Sequence, residues 1–240
     1  MISVIACTNR PRFVLNIIKN FRRQSIKDKE LIIILNTLEI AALSVEQLVG
    51  KYKIKYKIYQ FPDHISLGEC LNFGIETASF DIVAKWDDDD YYGPHYLKEA
   101  YNALTSQNAD IVGKSTFYIC FEKTSELRLY NPNSENQWII NPGKELYKKR
   151  YFFSGATLVF HKKVYSTVPF PPVNQGEDYL FQQQCFLHQF KMLSLSNRYY
   201  VYVRYGSPYH HSSDSKESIL RKRSKFVSPA NPMELNRFVN

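Results

Sequence analysis

Hydrophobic and polar positions change period along the chain in a regular order. Ile2 to Cys7 is a short apolar run of strand type that ends in Thr8, Asn9, Arg10 and Pro11, and a proline there is suited to open a helix. Val14, Ile17, Ile18 and Phe21 then recur at i, i+3, i+4 and i+7, with Lys19, Arg22 and Arg23 on the other faces, which predicts an amphipathic helix. Leu31 to Leu35 is uninterrupted and aliphatic, the pattern of a central parallel strand buried on both faces. Ser44 with Gln47 predicts a capping box for a short helix, and Tyr56 to Phe61 a strand that stops before Pro62. A second capping box, Ser66 with Glu69, precedes a helix to about Ser79 whose apolar face is Leu67, Leu71, Ile75 and Ala78. Asp81 to Trp86 is the fourth strand. It runs into Asp87, Asp88, Asp89 and Asp90, and Pro94 then starts a helix with Leu97, Ala100, Tyr101 and Leu104 on its apolar side.

The order βαβαβαβα predicts an α/β fold: a mostly parallel, Rossmann-like sheet with right-handed crossovers, flanked by helices. Ligands in such sheets sit beyond the carboxyl ends of the strands, so Thr8 to Arg10 and the aspartates share one edge. From about residue 110 the regularity gives way to strand-like pieces at Asp110–Gly113, Thr116–Glu122 and Ala156–His161, joined by polar segments such as Asn131–Gln137. Tyr179 to Phe190 reads as a helix and Tyr199 to Tyr205 as a late strand. One domain over 1–212 is expected, in halves 1–109 and 110–212, with 213–240 as a basic helix or arm.

Composition narrows the surroundings more than the chemistry. The longest aliphatic run is too short to span a membrane and the N-terminus has no signal-peptide pattern, so a cytoplasmic protein is expected. Four cysteines without CxxC spacing indicate neither zinc nor a disulfide framework. A net charge of +8 favours an anionic partner, whether a nucleotide, a nucleic acid or an acidic membrane surface.

Four adjacent carboxylates at the end of an apolar strand repel one another, and a bound cation resolves the conflict. Hard carboxylate oxygens suit Mg²⁺ or Mn²⁺, with open positions for phosphate oxygens. The alternative is a solvated acidic turn capping the next helix.

The segment Leu67-Gly68-Glu69-Cys70-Leu71-Asn72-Phe73-Gly74-Ile75, followed by Ile82-Val83-Ala84-Lys85-Trp86 and Asp87 to Asp90, resembles family 2 glycosyltransferases, enzymes of the GT-A fold. The resemblance runs over about 2–190 and is strongest from Leu67 to Leu97. It implies that 1–109 is a nucleotide-binding half and 110–212 a smaller, mixed acceptor-side half. The family's Asp-x-Asp motif maps onto Asp87 and Asp89, with Asp89 the direct metal ligand and Asp87 facing ribose or metal. Asp88 is grouped with the nucleotide-binding residues and Asp90 receives no role. Val4 to Pro11 is similar to the opening strand and turn that hold the nucleoside, which gives Cys7, Thr8, Asn9 and Arg10 that role by position. Where the family commonly has base-reading acids, this chain has Leu35 and Asn36, and Asn36 is suited to a pyrimidine edge. Glu177-Asp178 resembles the acidic pair downstream of a small-residue motif, here Ser154-Gly155-Ala156, which makes Asp178 the expected catalytic base, with Glu177 and Gly155 beside it. Arg204, His210 and His211 are candidates to close over the diphosphate, the histidines as added metal ligands.

The resemblance implies a Mn²⁺- or Mg²⁺-dependent enzyme that transfers one sugar from a UDP- or dTDP-sugar to a hydroxyl acceptor, with inversion, in surface or cell-wall polysaccharide synthesis. No processive QxxRW-like motif follows Asp178, where Gln182-Gln183-Gln184-Cys185 stands. Nucleic acid is not an expected partner, while the basic C-terminus suits a peripheral membrane or partner-enzyme contact. Two other classes meet part of the pattern: a metal-dependent nuclease or nucleotidyltransferase, which also clusters carboxylates, and a non-catalytic nucleotide-sugar binding module on the same fold.

Overall fold

A computed structural model of the chain describes residues 1–39, 41–141, 152–206 and 217–239. The parallel core comes from β1 (Ile2–Thr8), β2 (Lys29–Asn36), β3 (Tyr56–Phe61) and β4 (Ile82–Trp86), separated by α1 (Val14–Arg23), α2 (Ala42–Gly50) and α3 (Leu67–Thr77). After β4 follow β5 (Tyr91–Tyr92), α4 (Tyr96–Ser106), β6 (Ile111–Gly113), β7 (Phe117–Phe121), β8 (Glu126–Tyr130) and β9 (Trp138–Ile139). The remainder is β10 (Val159–His161), α5 (Lys162–Thr167), α6 (Glu177–Leu187), β11 (Met192–Ser194), β12 (Tyr200–Arg204), α7 (Glu217–Lys222) and β13 (Ser224–Pro229).

The larger sheet has the order β3-β2-β1-β4-β10-β6-β11-β9. Its first four strands pair parallel, β10 inserts antiparallel between β4 and β6, and β11 runs parallel to β6. Strand alternation sorts the core into two layers. Val4, Ala6, Leu31, Ile33, Leu35, Ala84 and Trp86 face α1, α2 and α4, whereas Ile5, Ile32, Ile34 and Val83 face α3, α5 and α6. The aliphatic run of β2 is therefore buried on both faces, as its sequence predicts.

A second sheet, β13-β8-β7-β12-β5, stands beside the first. Because β5 begins directly after Asp90, the four aspartates form the crossing from one sheet to the other. The second sheet encloses a smaller core with Cys120, Leu127, Val201, Val203, Leu235 and Val239. No helix among the described residues is long and apolar enough to cross a membrane.

One local expectation differs from the structure, and a second matches it for a helix but not for the strand that follows. The capping box expected at Ser44 and Gln47 does not form, because the N-cap of α2 is Ala41, three residues earlier, and the Ser44 backbone N–H already closes onto the Ala41 carbonyl at 2.9 Å. The basic C-terminal segment expected as a helix or arm contributes α7 and then β13, which pairs antiparallel with β8. Leu235 and Val239, which follow β13, are buried in the smaller core, so apolar positions beyond the basic run anchor this end of the described chain.

Candidate active site

At the carboxyl edge of the larger sheet, the residue that ends β4 hands the chain to four carboxylates with four different surroundings. Asp87 is half exposed and accepts a hydrogen bond from Lys85 Nζ at 2.7 Å, while its backbone N–H donates to Tyr92 Oη at 2.9 Å. Asp88 is buried: Thr8 Oγ1 donates to its Oδ2, and the Arg10 guanidinium donates through Nε at 3.1 Å and also through Nη2. Asp89 shares that guanidinium, its Oδ2 lying 3.0 Å from Arg10 Nη2. Asp90 is fully enclosed and accepts from Tyr200 Oη at 2.6 Å and from the Val203 backbone N–H at 3.0 Å.

The backbone of this turn is fixed from α1. Asn16 Nδ2 donates to the carbonyls of Asp88 and Asp90 at 2.8 and 2.9 Å, and Asn20 Nδ2 donates to the Asp90 carbonyl at 2.8 Å. Buried carbonyls away from regular ladders require such donors, which explains two asparagines on the inner side of an amphipathic helix.

Desolvation dominates the electrostatics. It raises the Asp89 carboxyl to about 7, reinforced by Asp88 and opposed by Arg10. Burial likewise raises Asp88 against the pull of Arg10, and lifts Asp90 well above the usual carboxylate range with help from Asp89 and Asp87. Arg10 is drawn down by burial, but Asp88 overrides that and holds it firmly charged. The chain's own cations thus take up part of the charge for which the sequence invokes a metal ion.

Across the site, α6 begins after Gly176, whose φ of 76° lies in the left-handed region that suits glycine. Glu177 and Asp178 occupy its first turn, where the helix N-terminus favours acidic groups. Glu177 is buried, and desolvation raises its carboxyl to about 7 although the nearby Lys85 pulls it down. The Asp178 carboxylate lies against the α-carbon of Gly155, where any Cβ would overlap it. One turn along, Gln182 accepts from the Phe153 N–H at 2.8 Å and donates to the Phe153 carbonyl at 3.2 Å, holding the Ser154-Gly155-Ala156 segment beneath the helix start.

The structure therefore brings together Thr8, Arg10, Asp88 and Asp89 as one cluster and Asp87, Lys85, Glu177 and Asp178 as a second. Cys7 belongs beside the second, its thiol raised by burial and influenced by Lys85, Asp87 and Glu177. Asn36 closes β2, one strand away from Thr8, and its buried Oδ1 makes no hydrogen bond among the described residues. Asn9 is exposed at the turn after β1. Arg204 sits at the end of β12 and donates to Tyr202 Oη at 2.8 Å. His210 and His211 lie outside the described residues.

Tyr92, Asn16, Asn20 and Tyr200 have no site role in the sequence reading, and Lys85 figures there only as a cation near the expected site, either solvated or paired. Lys85 is within reach of the pattern: strand alternation puts it on the same face as Val83 and Asp87, toward α6. Tyr200 is not, since its contact with Asp90 spans 110 positions.

Among the described residues no three His, Cys, Asp or Glu side chains converge as a ready metal cage. A Mg²⁺-type site needs fewer, because one or two carboxylates with substrate phosphates and waters suffice. Asp89, whose charge is destabilised by burial, and Asp87, which presents its carboxylate at the surface, fit that smaller donor set.

A family model for glycosyl transferase family 2 matches residues 3–169. No curated protein matches the chain. Among solved structures, S. aureus TarS in complex with UDP-GlcNAc superposes with a TM-score of 0.70 at 16% identity, over 92% of this chain and 63% of that one. TarS in complex with UDP gives 0.67 at 20% identity, over 84% and 60%. A mannosyltransferase from Pyrobaculum calidifontis in complex with GDP-Man and Mn²⁺ gives 0.64 at 13% identity, over 87% and 58%. The chain spans about three fifths of the length of these structures, and the likeness establishes the GT-A fold.

Proposed function

We propose, on the premise that this chain belongs to glycosyl transferase family 2, that it transfers one sugar from a UDP- or dTDP-sugar to a hydroxyl acceptor with inversion. The observation that carries this reading is the meeting of the strand-end carboxylates with the Glu177-Asp178 pair, Lys85 lying 2.7 Å from Asp87 and 3.8 Å from Glu177. Donor-side and acceptor-side groups thereby share one site.

On the donor side, the buried Asn36 Oδ1, which accepts no hydrogen bond among the described residues, is suited to the N3–H of uracil or thymine. TarS, which has the same fold, is held in complexes with UDP-GlcNAc and UDP. Cys7, Thr8, Asn9 and Arg10 line the adjoining strand end, and Arg10 fixes Asp88 and Asp89 in place. Asp89 and Asp87 are the residues that would hold Mn²⁺ or Mg²⁺, which would supply Lewis-acid stabilisation of the charge that develops on the departing diphosphate.

On the acceptor side, Asp178 takes the proton of the attacking hydroxyl. The acceptor oxygen bonds to the anomeric carbon as the bond from that carbon to the diphosphate oxygen breaks, on the opposite face. Gly155 leaves the carboxylate room at its α-carbon, and Gln182 keeps that segment in register with α6. A surface or cell-wall polysaccharide is the product class that the family resemblance suggests.

The reading is tested by Asp178→Asn. Turnover should fall by about 10²–10⁴-fold, the usual contribution of a positioned general base, with thermal unfolding unchanged. Full turnover in this variant would remove Asp178 from the chemistry.

A further inference from the structure

Strand alternation places Val83, Lys85 and Asp87 on the face of β4 that looks toward α3 and α6. Val83 packs there among Ile5, Ile34 and Phe160, and an apolar side chain is the ordinary choice two residues on. Lys85 stands there instead, with only 6% of its side chain exposed. Burying an ammonium costs several kcal/mol unless it is paired, so a lysine is a poor choice if packing were the whole requirement. Its partners come from separate parts of the molecule: Asp87 Oδ1 at 2.7 Å, just beyond its own strand, and Glu177 Oε1 at 3.8 Å, at the start of α6.

The first turn of α6 is already attached on its other side. Gln182 grips both backbone groups of Phe153, and the Asp178 carboxylate lies over Gly155. The segment from Ser154 to Leu158 is in turn tied to the end of β4: the Lys85 N–H donates to the Leu158 carbonyl at 2.9 Å, and Tyr92 Oη, which accepts from the Asp87 N–H, donates to the Ala156 carbonyl at 2.8 Å. What those contacts leave open is the placement of the carboxylate side chains on the two sides relative to one another. We infer that Lys85 is the positioning residue that sets it, tying Asp87 to Glu177 and so fixing the separation between the donor-side carboxylate and Asp178. This rests on the proposed function, in which Asp87 serves the donor and Asp178 the acceptor. Without the ammonium, Asp87 loses its side-chain partner at 2.7 Å and Glu177 is left buried beside no cation from β4.

The test measures UDP or dTDP release from UDP-GlcNAc, UDP-glucose and dTDP-glucose with Mn²⁺, alongside urea unfolding. The proteins are wild type, Lys85→Met, Lys85→Arg, Asp178→Asn, Glu177→Gln and the double variant Lys85→Met/Glu177→Gln. Lys85→Met should lower kcat by roughly 100-fold, the scale of loss from a small misplacement of reacting groups, while the donor KM stays near the wild-type value. Lys85→Arg, which keeps the charge, should retain most of the turnover. The double variant should regain the stability lost in Lys85→Met, since no buried carboxylate is left uncompensated, yet its kcat should stay low. An unchanged kcat in Lys85→Met, or a kcat that recovers together with stability in the double variant, overturns the inference. Failure of the underlying reading looks different: wild type releases nucleotide from none of the donors, or Asp178→Asn matches wild type, and either result removes the positioning role as well.

Discussion

Glu177 is an acid whose folded-state carboxyl stands at about 7 against an ordinary 4.5, because desolvation outweighs the attraction of Lys85. The folded chain therefore holds this proton more tightly than the unfolded chain across that interval, and the contribution to stability is fully present below the lower value and lost as pH rises through the upper one. Urea unfolding in metal-free buffer should show stability falling between these two values, with a shallower fall in Glu177→Gln; equal slopes would show that Glu177 does not titrate there. Asp90 illustrates a different use of a carboxyl group. Its oxygens accept from Tyr200 and Val203 of β12, which ties the aspartate turn to the second sheet. Tyr200→Phe removes one of those donors from a buried acceptor and should cost about 1–3 kcal/mol in unfolding free energy. A loss near zero would mean that Asp90 finds another donor.

At the scale of elements, α3 is specified locally. Ser66 Oγ accepts from the Glu69 N–H while the Glu69 carboxylate accepts from the Ser66 N–H at 2.9 Å, a complete capping box. Ser66→Ala should destabilise the fold by about 1 kcal/mol, read by urea unfolding, and no loss would mean that packing alone sets the helix start. This box, the alternation of β1 to β4 and the apolar stripe of α1 were legible because each signal lies within a dozen residues. Ser44 and Gln47 carry the same signature without forming it, because Ala41 begins the helix first. Strands β6 and β10 fall within the strand-like pieces read at Asp110–Gly113 and Ala156–His161, whereas β5, β9 and β11 have two or three residues each, too few for a period to declare itself. The insertion of β10 between β4 and β6 is fixed only by long-range pairing. In the site, adjacency revealed the four aspartates and the Glu177-Asp178 pair. The division of labour among them did not show, because it depends on Arg10, Lys85 and Tyr200 reaching them from other elements.

At the scale of the whole molecule, the described residues form two sheets joined through the aspartate turn, with the groups proposed to serve the donor at the ends of β1, β2 and β4 and those proposed to serve the acceptor at the start of α6. Its smaller sheet includes β13, most of whose side chains are exposed, and the residues that anchor this end of the described chain, Leu235 and Val239, follow the strand, so the basic composition before it gave no sign of them. We propose that this architecture binds a nucleotide diphosphate with a divalent ion held by Asp89. Thermal unfolding of wild type and Asp89→Ala with UDP, in the presence and absence of Mn²⁺, tests it most directly. UDP with Mn²⁺ at 100 times the dissociation constant should stabilise wild type by about 2.7 kcal/mol, with little effect when either is omitted and no shift in Asp89→Ala. An equal shift in Asp89→Ala, or a wild-type shift that is the same without Mn²⁺, would contradict the account.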